Sequence, residues 1–167
     1  MELDRGAAIV TGAAGGIGSA MAARLATGGM SLVLGDIDRD RLEAVRADLG
    51  ATHPAAEVVV VPGDVGDPDH HAELVDRASG LGAVRLSVLN AGVSLPGLSW
   101  EVPLETWELT TRVNYWGVVH GLRAALGHMV DRSDGELGWV VAVSSGAGLV
   151  ATPAWRRTLP PSTPSSD

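Results

Sequence analysis

Thr11–Gly18 reads T-G-A-A-G-G-I-G, a glycine cluster set between an apolar run and an Ala-rich stretch. Each glycine has a use. Gly12 permits a tight turn, Gly16 lets bare backbone approach a pyrophosphate, and Gly18 allows a helix to pack closely on the preceding strand. A helix starting here, with Ile17 in its first turn, offers unpaired N–H groups and a positive dipole end to phosphate oxygens. The spacing is G-x-x-x-G-x-G, not the commoner G-x-G-x-x-G. Its place between a strand and a helix therefore carries the assignment.

Asp36 is the second chemical signal. It closes the second apolar run, near the ~20-residue offset at which a carboxylate meets the ribose of a dinucleotide. A carboxylate there accepts hydrogen bonds from a ribose 2′-OH and repels a 2′-phosphate. No Arg or Lys interrupts the glycine loop, and Arg39 is expected in the helix that follows. The pattern points to NAD and disfavours NADP. The bland alternative is an Asp that merely caps the helix at Asp38.

These residues need elements to hold them. Ala7–Thr11, Ser31–Gly35, Glu57–Val61, Val84–Leu89 and Trp139–Val143 are short runs rich in Val, Leu and Ile, suited to strands buried on both faces. Helical stretches lie between them. Gly16–Ala26 ends at Gly28-Gly29, and Asp38–Leu49 carries Leu42, Val45 and Leu49 before a stop at Gly50. Asp67-Pro68 opens a third helix, and Leu104–Val130 is a long fourth running through Trp107, Val113, Trp116 and Leu122. The alternation predicts an α/β, three-layer, doubly wound parallel sheet of Rossmann type, with about five strands.

Composition narrows the function classes. The chain has 167 residues, 46% hydrophobic and 19% charged, enough for one core. A net charge of −8 argues against a nucleic-acid grip and against an anionic membrane surface. There is no Cys, hence no disulfide framework or thiolate metal site, which fits a reducing cytoplasmic setting. The opening Met-Glu-Leu-Asp-Arg is unlike a signal peptide, and no apolar run spans a bilayer. Every basic residue is Arg; no Lys occurs, and Tyr115 is the only Tyr.

Taken in order, the motifs resemble the short-chain dehydrogenases/reductases, from about Arg5 to Pro153. Asp64-Val65 after the third strand looks like the family's adenine-contacting pair, and Asn90-Ala91-Gly92 after the fourth looks like its N-A-G motif. Asn114, in R-V-N-Y-W-G, falls where the family keeps a catalytic-site Asn. Ser145, in V-A-V-S-S-G-A-G, falls at its substrate-orienting Ser. The resemblance implies hydride transfer between NAD and an alcohol or carbonyl substrate, with Asn114 supporting a proton-relay water. It also implies a Tyr general acid/base and a Lys that lowers its pKa, at the positions of Thr158 and Ser162. Neither residue is there. Tyr115 is no substitute, since Val119 stands where its Lys would be.

The stretch from Thr152 to Asp167 is rich in Pro and without apolar period, and reads as a disordered or aberrant tail to a domain spanning 1–151. With permitted codons, a shift of frame near Trp155 turns it into A-A-Y-S-A-S-K-H-A-V-V-G, a well-formed Y-x-x-x-K segment. The expectation is a family core without its last two strands, truncated and frameshifted. An oxidoreductase heads the readings. A catalytically inactive NAD-binding fragment and a partner-binding module for a related subunit are the alternatives, and a homo-oligomer fits any of them.

Other residues are weaker signals. His70-His71 beside Asp67, Asp69 and Glu73 point in different directions on a helix and read as a solvated first turn, not a metal site. Trp100, Trp107 and Trp116 read as packing residues, with Trp100 also placed to edge a substrate pocket; His120 and His128 lie on the long helix and need no functional account, and Leu95 and Trp155 hint at an apolar pocket.

Overall fold

The computed structural model describes residues 5–94, 97, 100–131 and 137–146. Thr158, Ser162, Leu95, Trp155 and the whole of 152–167 lie outside the described residues. The strands are β1 (Ala7–Thr11), β2 (Ser31–Asp36), β3 (Val58–Pro62), β4 (Val84–Leu89) and β5 (Trp139–Ala142). They form one parallel sheet in the order β3-β2-β1-β4-β5. The expected doubly wound α/β architecture is observed. β3 begins one residue later than expected, and β5 ends one earlier, although the Val143 N–H still donates to the Leu89 carbonyl at 3.0 Å.

Alternation along β1 splits the core into two layers. Ala8 and Val10 face Ala22 and Ala26 of α1 (Gly16–Thr27) and Leu42 and Leu49 of α2 (Arg39–Thr52). Ala7 and Ile9 face the other way, toward Leu74 and Ala78 of α3 (Pro68–Leu81). The α-layers thus follow from a two-residue period on strands that are apolar on both faces. α4 (Leu104–Thr111), a π-helical turn (Arg112–Trp116) and α5 (Gly117–Val130) run on without a break, and Met129 packs against the α3 layer.

The helix ends show local chemistry at work. Asp38 caps α2, accepting from the Arg41 N–H at 3.1 Å, and Asp67 caps α3, accepting from the Asp69 N–H at 2.9 Å. Pro68 occupies the first position of α3, where its missing N–H costs nothing. α2 does not stop at Gly50. That glycine keeps helical backbone, and the turn continues because Thr52 Oγ1 donates to the Asp48 carbonyl at 2.8 Å and the His53 N–H to Leu49 at 2.7 Å. A glycine ends a helix only when it takes the left-handed region, as Gly29 does after α1 at φ +88°.

Three tryptophans depart from expectation. Trp100, Trp107 and Trp116 are exposed rather than packed: Trp107 lies on α4, which buries none of its residues, Trp100 precedes that helix and Trp116 ends the π turn. Trp116 instead stacks on His120, ring centroids 5.8 Å apart, and meets Tyr115 edge to face. Around β5, Trp139, Val141 and Val143 are also exposed, leaving that edge of the sheet uncovered among the described residues. No described helix is long and apolar enough to cross a membrane.

The core predicts its own sensitivity. Leu34 is fully buried and Val130 is 79% exposed, so Leu34→Ala lowers unfolding stability by about 3 kcal/mol and Val130→Ala by under about 0.5. Urea denaturation followed by circular dichroism measures both; equal costs would contradict the layer assignment.

Candidate functional site

The strand order reverses between β1 and β4, and the loops that leave the carboxyl ends of the strands open a crevice there. The glycine loop forms one wall. Gly12 adopts φ +65°, and a Cβ on it would lie 2.8 Å from Ala91 Cα. A Cβ on Gly18 would lie 2.2 Å from the Gly12 carbonyl oxygen, so only glycine lets α1 close on β1. Gly16 is different: nothing stands within 4 Å of its missing Cβ, and its backbone faces open space.

The start of α1 is left open for an anion. Gly15 is the N-cap with no side-chain bond, and the first turn carries no acidic residue. The first intrahelical bond is Ser19 N–H to the Gly15 carbonyl at 2.9 Å, which leaves the N–H groups of Gly16, Ile17 and Gly18 without helical partners. They border a groove of about 300 Å³ lined also by Asp36, Arg41, Asn90 and Gly92. Bare N–H donors at a positive dipole end, beside glycines without side chains, fit a pyrophosphate.

Asp36 is held rigidly. Its Oδ2 accepts from the Ala14 N–H at 3.0 Å and its Oδ1 from the Asp38 N–H at 3.1 Å. The remaining lone pairs stay available to a diol. Capping is the work of Asp38, so Asp36 is not a mere helix cap. Across the crevice, Asn90 Nδ2 donates to the carbonyls of Thr11 at 3.0 Å and Gly12 at 3.2 Å. Thr11 Oγ1 accepts in return from the N–H groups of Asn90 and Ala91, at 3.0 and 3.1 Å. This reciprocal set ties the glycine loop to the end of β4.

A second recess, about 280 Å³, lies beside β2 and β3 and is lined by Asp36, Ile37, Asp64, Val65, Gly92 and Leu109 among others. Its wall is mostly apolar, with a carboxylate at one side, suited to a flat heteroaromatic ring. Arg112 also lines it and donates to Asp64 Oδ2, while Asp64 Oδ1 accepts from the Gly66 N–H at 2.8 Å. Burial pulls the Asp64 pKa upward, but the Gly66 bond and the Arg112 bond and charge outweigh it and hold the carboxyl below its ordinary value.

Arg112 opens the π turn that also carries Asn114. Asn114 Nδ2 donates to the Val93 carbonyl at 2.8 Å, and its Oδ1 accepts from the Val93 N–H at 2.9 Å. The turn therefore grips the Asn90–Val93 segment with one side chain and the Asp64 loop with another. π turns often occur at functional sites, and the uninterrupted helix expected over Leu104–Val130 concealed this one. Ser145 follows β5 at the same carboxyl end and is exposed.

His70 and His71 are buried, not solvated as the charge around them implied. α3 presses its first turn under the ends of β2 and β3: a Cβ on Gly63 would lie 2.3 Å from His70 Nδ1, so that glycine makes room for the ring. His70 Nε2 is buried without a hydrogen-bond partner. His71 Nε2 sits 3.0 Å from the Val65 carbonyl and steadies the Asp64 loop from below. Desolvation pushes His71 down to about 4 and lowers His70 as well. Among the described residues no cluster of metal-ligating side chains forms.

The crevice thus gathers Thr11, Gly12, Gly16, Ile17, Gly18, Asp36, Asn90 and Gly92, with Asp64, Val65 and Ala91 in the adjoining recess. Ile37, Arg41, Leu109 and Arg112 join them unforeseen. Arg41 falls on the first turn of α2 facing the glycine loop, a position readable from the helix period; Arg112 reaches the recess only through the π turn.

A short chain dehydrogenase family profile matches residues 6–157. A 1-deoxy-11-beta-hydroxypentalenate dehydrogenase of Streptomyces avermitilis is 42% identical over 134 residues, 78% of this chain and 49% of that protein. A 2,3-dihydro-2,3-dihydroxybenzoate dehydrogenase of Bacillus subtilis is 36% identical over 146 residues, 87% of this chain and 54% of that one. Among solved structures, a short chain dehydrogenase/reductase from Burkholderia phymatum in complex with NAD superposes with a TM-score of 0.86 at 35% identity, covering 92% of this chain and 54% of its own. The chain spans about half the length of these relatives.

Two outcomes follow from the site's geometry. Gly18→Ala places a methyl against the Gly12 carbonyl and destabilises the fold by at least about 1–2 kcal/mol, whereas Gly16→Ala leaves stability within about 1. Thermal melts of both variants decide it. Acid acts through His71. Below its ordinary 6.5 the unfolded chain takes up a proton that the folded chain refuses until about 4, so stability falls by roughly 3 kcal/mol as pH drops through that window. His71→Gln, which keeps a donor for Val65, flattens that slope in denaturation curves taken from pH 7 to 4; an unchanged slope would refute the assignment.

Proposed function

The chain belongs to the short-chain dehydrogenase family, and we propose that its crevice binds NAD and serves hydride transfer between that cofactor and an alcohol or carbonyl group of a small molecule. The observation that carries this reading is the uncapped start of α1 over Gly16, beside a carboxylate locked in place by two backbone N–H groups. Residues 1–151 form the cofactor-binding unit.

Each residue has a task. The N–H groups of Gly16, Ile17 and Gly18 take the pyrophosphate, with Thr11 and Gly12 setting the loop. Asp36 accepts from the adenosine ribose and disfavours a 2′-phosphate, which selects NAD over NADP. Asp64 and Val65 receive the adenine, and Asn90, Ala91 and Gly92 line the path toward the nicotinamide. When bound, NAD supplies or accepts a hydride at its nicotinamide ring. Ser145 orients the substrate oxygen by a hydrogen bond, and Asn114 holds a water for proton transfer.

A proton donor and acceptor of suitable pKa is still required. The sequence has no Lys, and Tyr115 is exposed on the π turn with Val119 four residues on. The second reading, which rests on those residues, is cofactor binding with little turnover. The two readings part in one experiment. Titration with NADH and NADPH, read by energy transfer from Trp to the reduced nicotinamide, shows saturable binding that is tighter for NADH. Appearance of reduced nicotinamide with a panel of alcohols then reports turnover. Tighter NADPH binding would overturn the NAD assignment, and turnover at ordinary family rates would overturn the inactive reading.

A further inference from the structure

The Asp64–Val65 loop keeps its own shape: the Gly66 N–H donates to Asp64 Oδ1 at 2.8 Å and the Asp67 N–H to the Asp64 carbonyl at 2.9 Å. Two side chains from elsewhere fasten it. Arg112 holds Asp64 from the exposed side, and His71 holds the Val65 carbonyl from the buried side at 3.0 Å. A carbonyl only accepts, so His71 Nε2 carries a hydrogen and Nδ1 is left to take a further proton. Other imidazoles surround it. The His71 ring centroid lies 6.0 Å from that of His70 and 6.5 Å from that of His120 on α5, and a Cβ on Gly121 would lie 3.1 Å from His71 Cε1. His70 is wedged under the strand ends, its Nε2 3.3 Å from where a Cβ on Gly35 would lie, buried and unpartnered. Glu73, Asp67 and Asp64 face His70, Asp67 also faces His71, and β1 and β2 turn Ile9 and Val33 toward α3. Desolvation outweighs the pull of those carboxylates and keeps both rings neutral at pH 7. The closed arrangement thus holds two imidazoles away from water, one with an orphan nitrogen. Opening the first turn of α3 hydrates both.

Resting on the NAD reading above, we propose that His70 and His71 form an acid-sensitive latch that positions the Asp64–Val65 loop for the cofactor. Neutral, the pair lets α3 press against the strand ends and holds the loop at the edge of its recess. Protonated, it drives the first turn of α3 toward water, and the Val65 carbonyl loses its donor. The cofactor selects the closed loop and so expels protons; acid selects the open loop and so expels the cofactor. His71 is therefore a positioning residue, acting on the ligand through Val65.

The test uses the whole chain and NAD itself, whose phosphates are diesters with no proton to take up in mild acid. Calorimetric titration shows affinity falling about tenfold or more from pH 7.5 to 5, because an imidazole released to solvent regains a pKa near 6.5. Circular dichroism over that range stays that of the folded chain. At pH 5.5 binding releases protons, read as a heat that changes with the ionisation enthalpy of the buffer. The double variant His70→Gln, His71→Gln flattens the affinity profile and abolishes the proton release, whereas His120→Gln keeps both. Should the double variant fold poorly, the imidazole resonances of the wild type decide instead. Saturating NAD lowers the titration midpoints of His70 and His71 and leaves those of His53 and His128 in place. A fall in affinity that survives in the double variant, or midpoints of His70 and His71 that ignore NAD, shows the latch to be wrong while the cofactor reading stands. If the wild type binds no NAD at pH 7.5, the cofactor reading fails and takes the latch with it.

Discussion

The side chain of Asn90 joins the two halves of the sheet at the point where strand order reverses. Its amide donates to the carbonyls of Thr11 and Gly12, while Thr11 Oγ1 accepts from the Asn90 and Ala91 N–H groups. Parallel strands diverge beyond their last ladder bond, and the polar groups freed there must find partners or water. Here they find each other. The glycine loop is thereby pinned with Gly12 in the left-handed region and its carbonyl against Gly18, and the start of α1 is aimed across the crevice. Without that cross-link the phosphate-sized opening at Gly16 would have no fixed position relative to Asp36.

The far side of the crevice is built by interlocking rather than by strand ends. Asp64 is bonded to Gly66 and Arg112, Val65 fills the room left by Gly117, and His71 supports the Val65 carbonyl from beneath. A Cβ on Gly66 would meet Arg112 Cγ at 2.6 Å, so the arginine stem crosses the loop only because that residue is glycine. The π turn connects this loop to the Asn90–Val93 segment through Arg112 and Asn114. Its extra residue changes which side chains face inward, and both of those face the crevice.

Much of this was legible in the residues. Unbroken apolar runs announced two-sided strands, and the glycine loop and Asp36 announced the crevice, because short-range geometry determines both. Long-range packing was not legible. His70 and His71 sit in an acidic, polar stretch, yet α3 buries them under glycines far away in sequence. Trp100, Trp107 and Trp116 have the composition of a core, yet all three are exposed, Trp107 on a helix that buries nothing. Gly50 looked like a helix stop, but only its backbone angle, fixed by the Thr52 and His53 bonds, decides that. The π turn has no composition signature at all.

The central claim is that the uncapped start of α1 seats the pyrophosphate of NAD. Amide chemical shifts of the labelled chain, followed during addition of NAD, test it most directly. Saturable perturbations largest at Gly16, Ile17 and Gly18, with Ala14 and Asp38 moving as the Asp36 carboxylate takes up the ribose, are the expected result. Perturbations that leave Gly16–Gly18 unmoved, at concentrations that shift residues elsewhere, would contradict it.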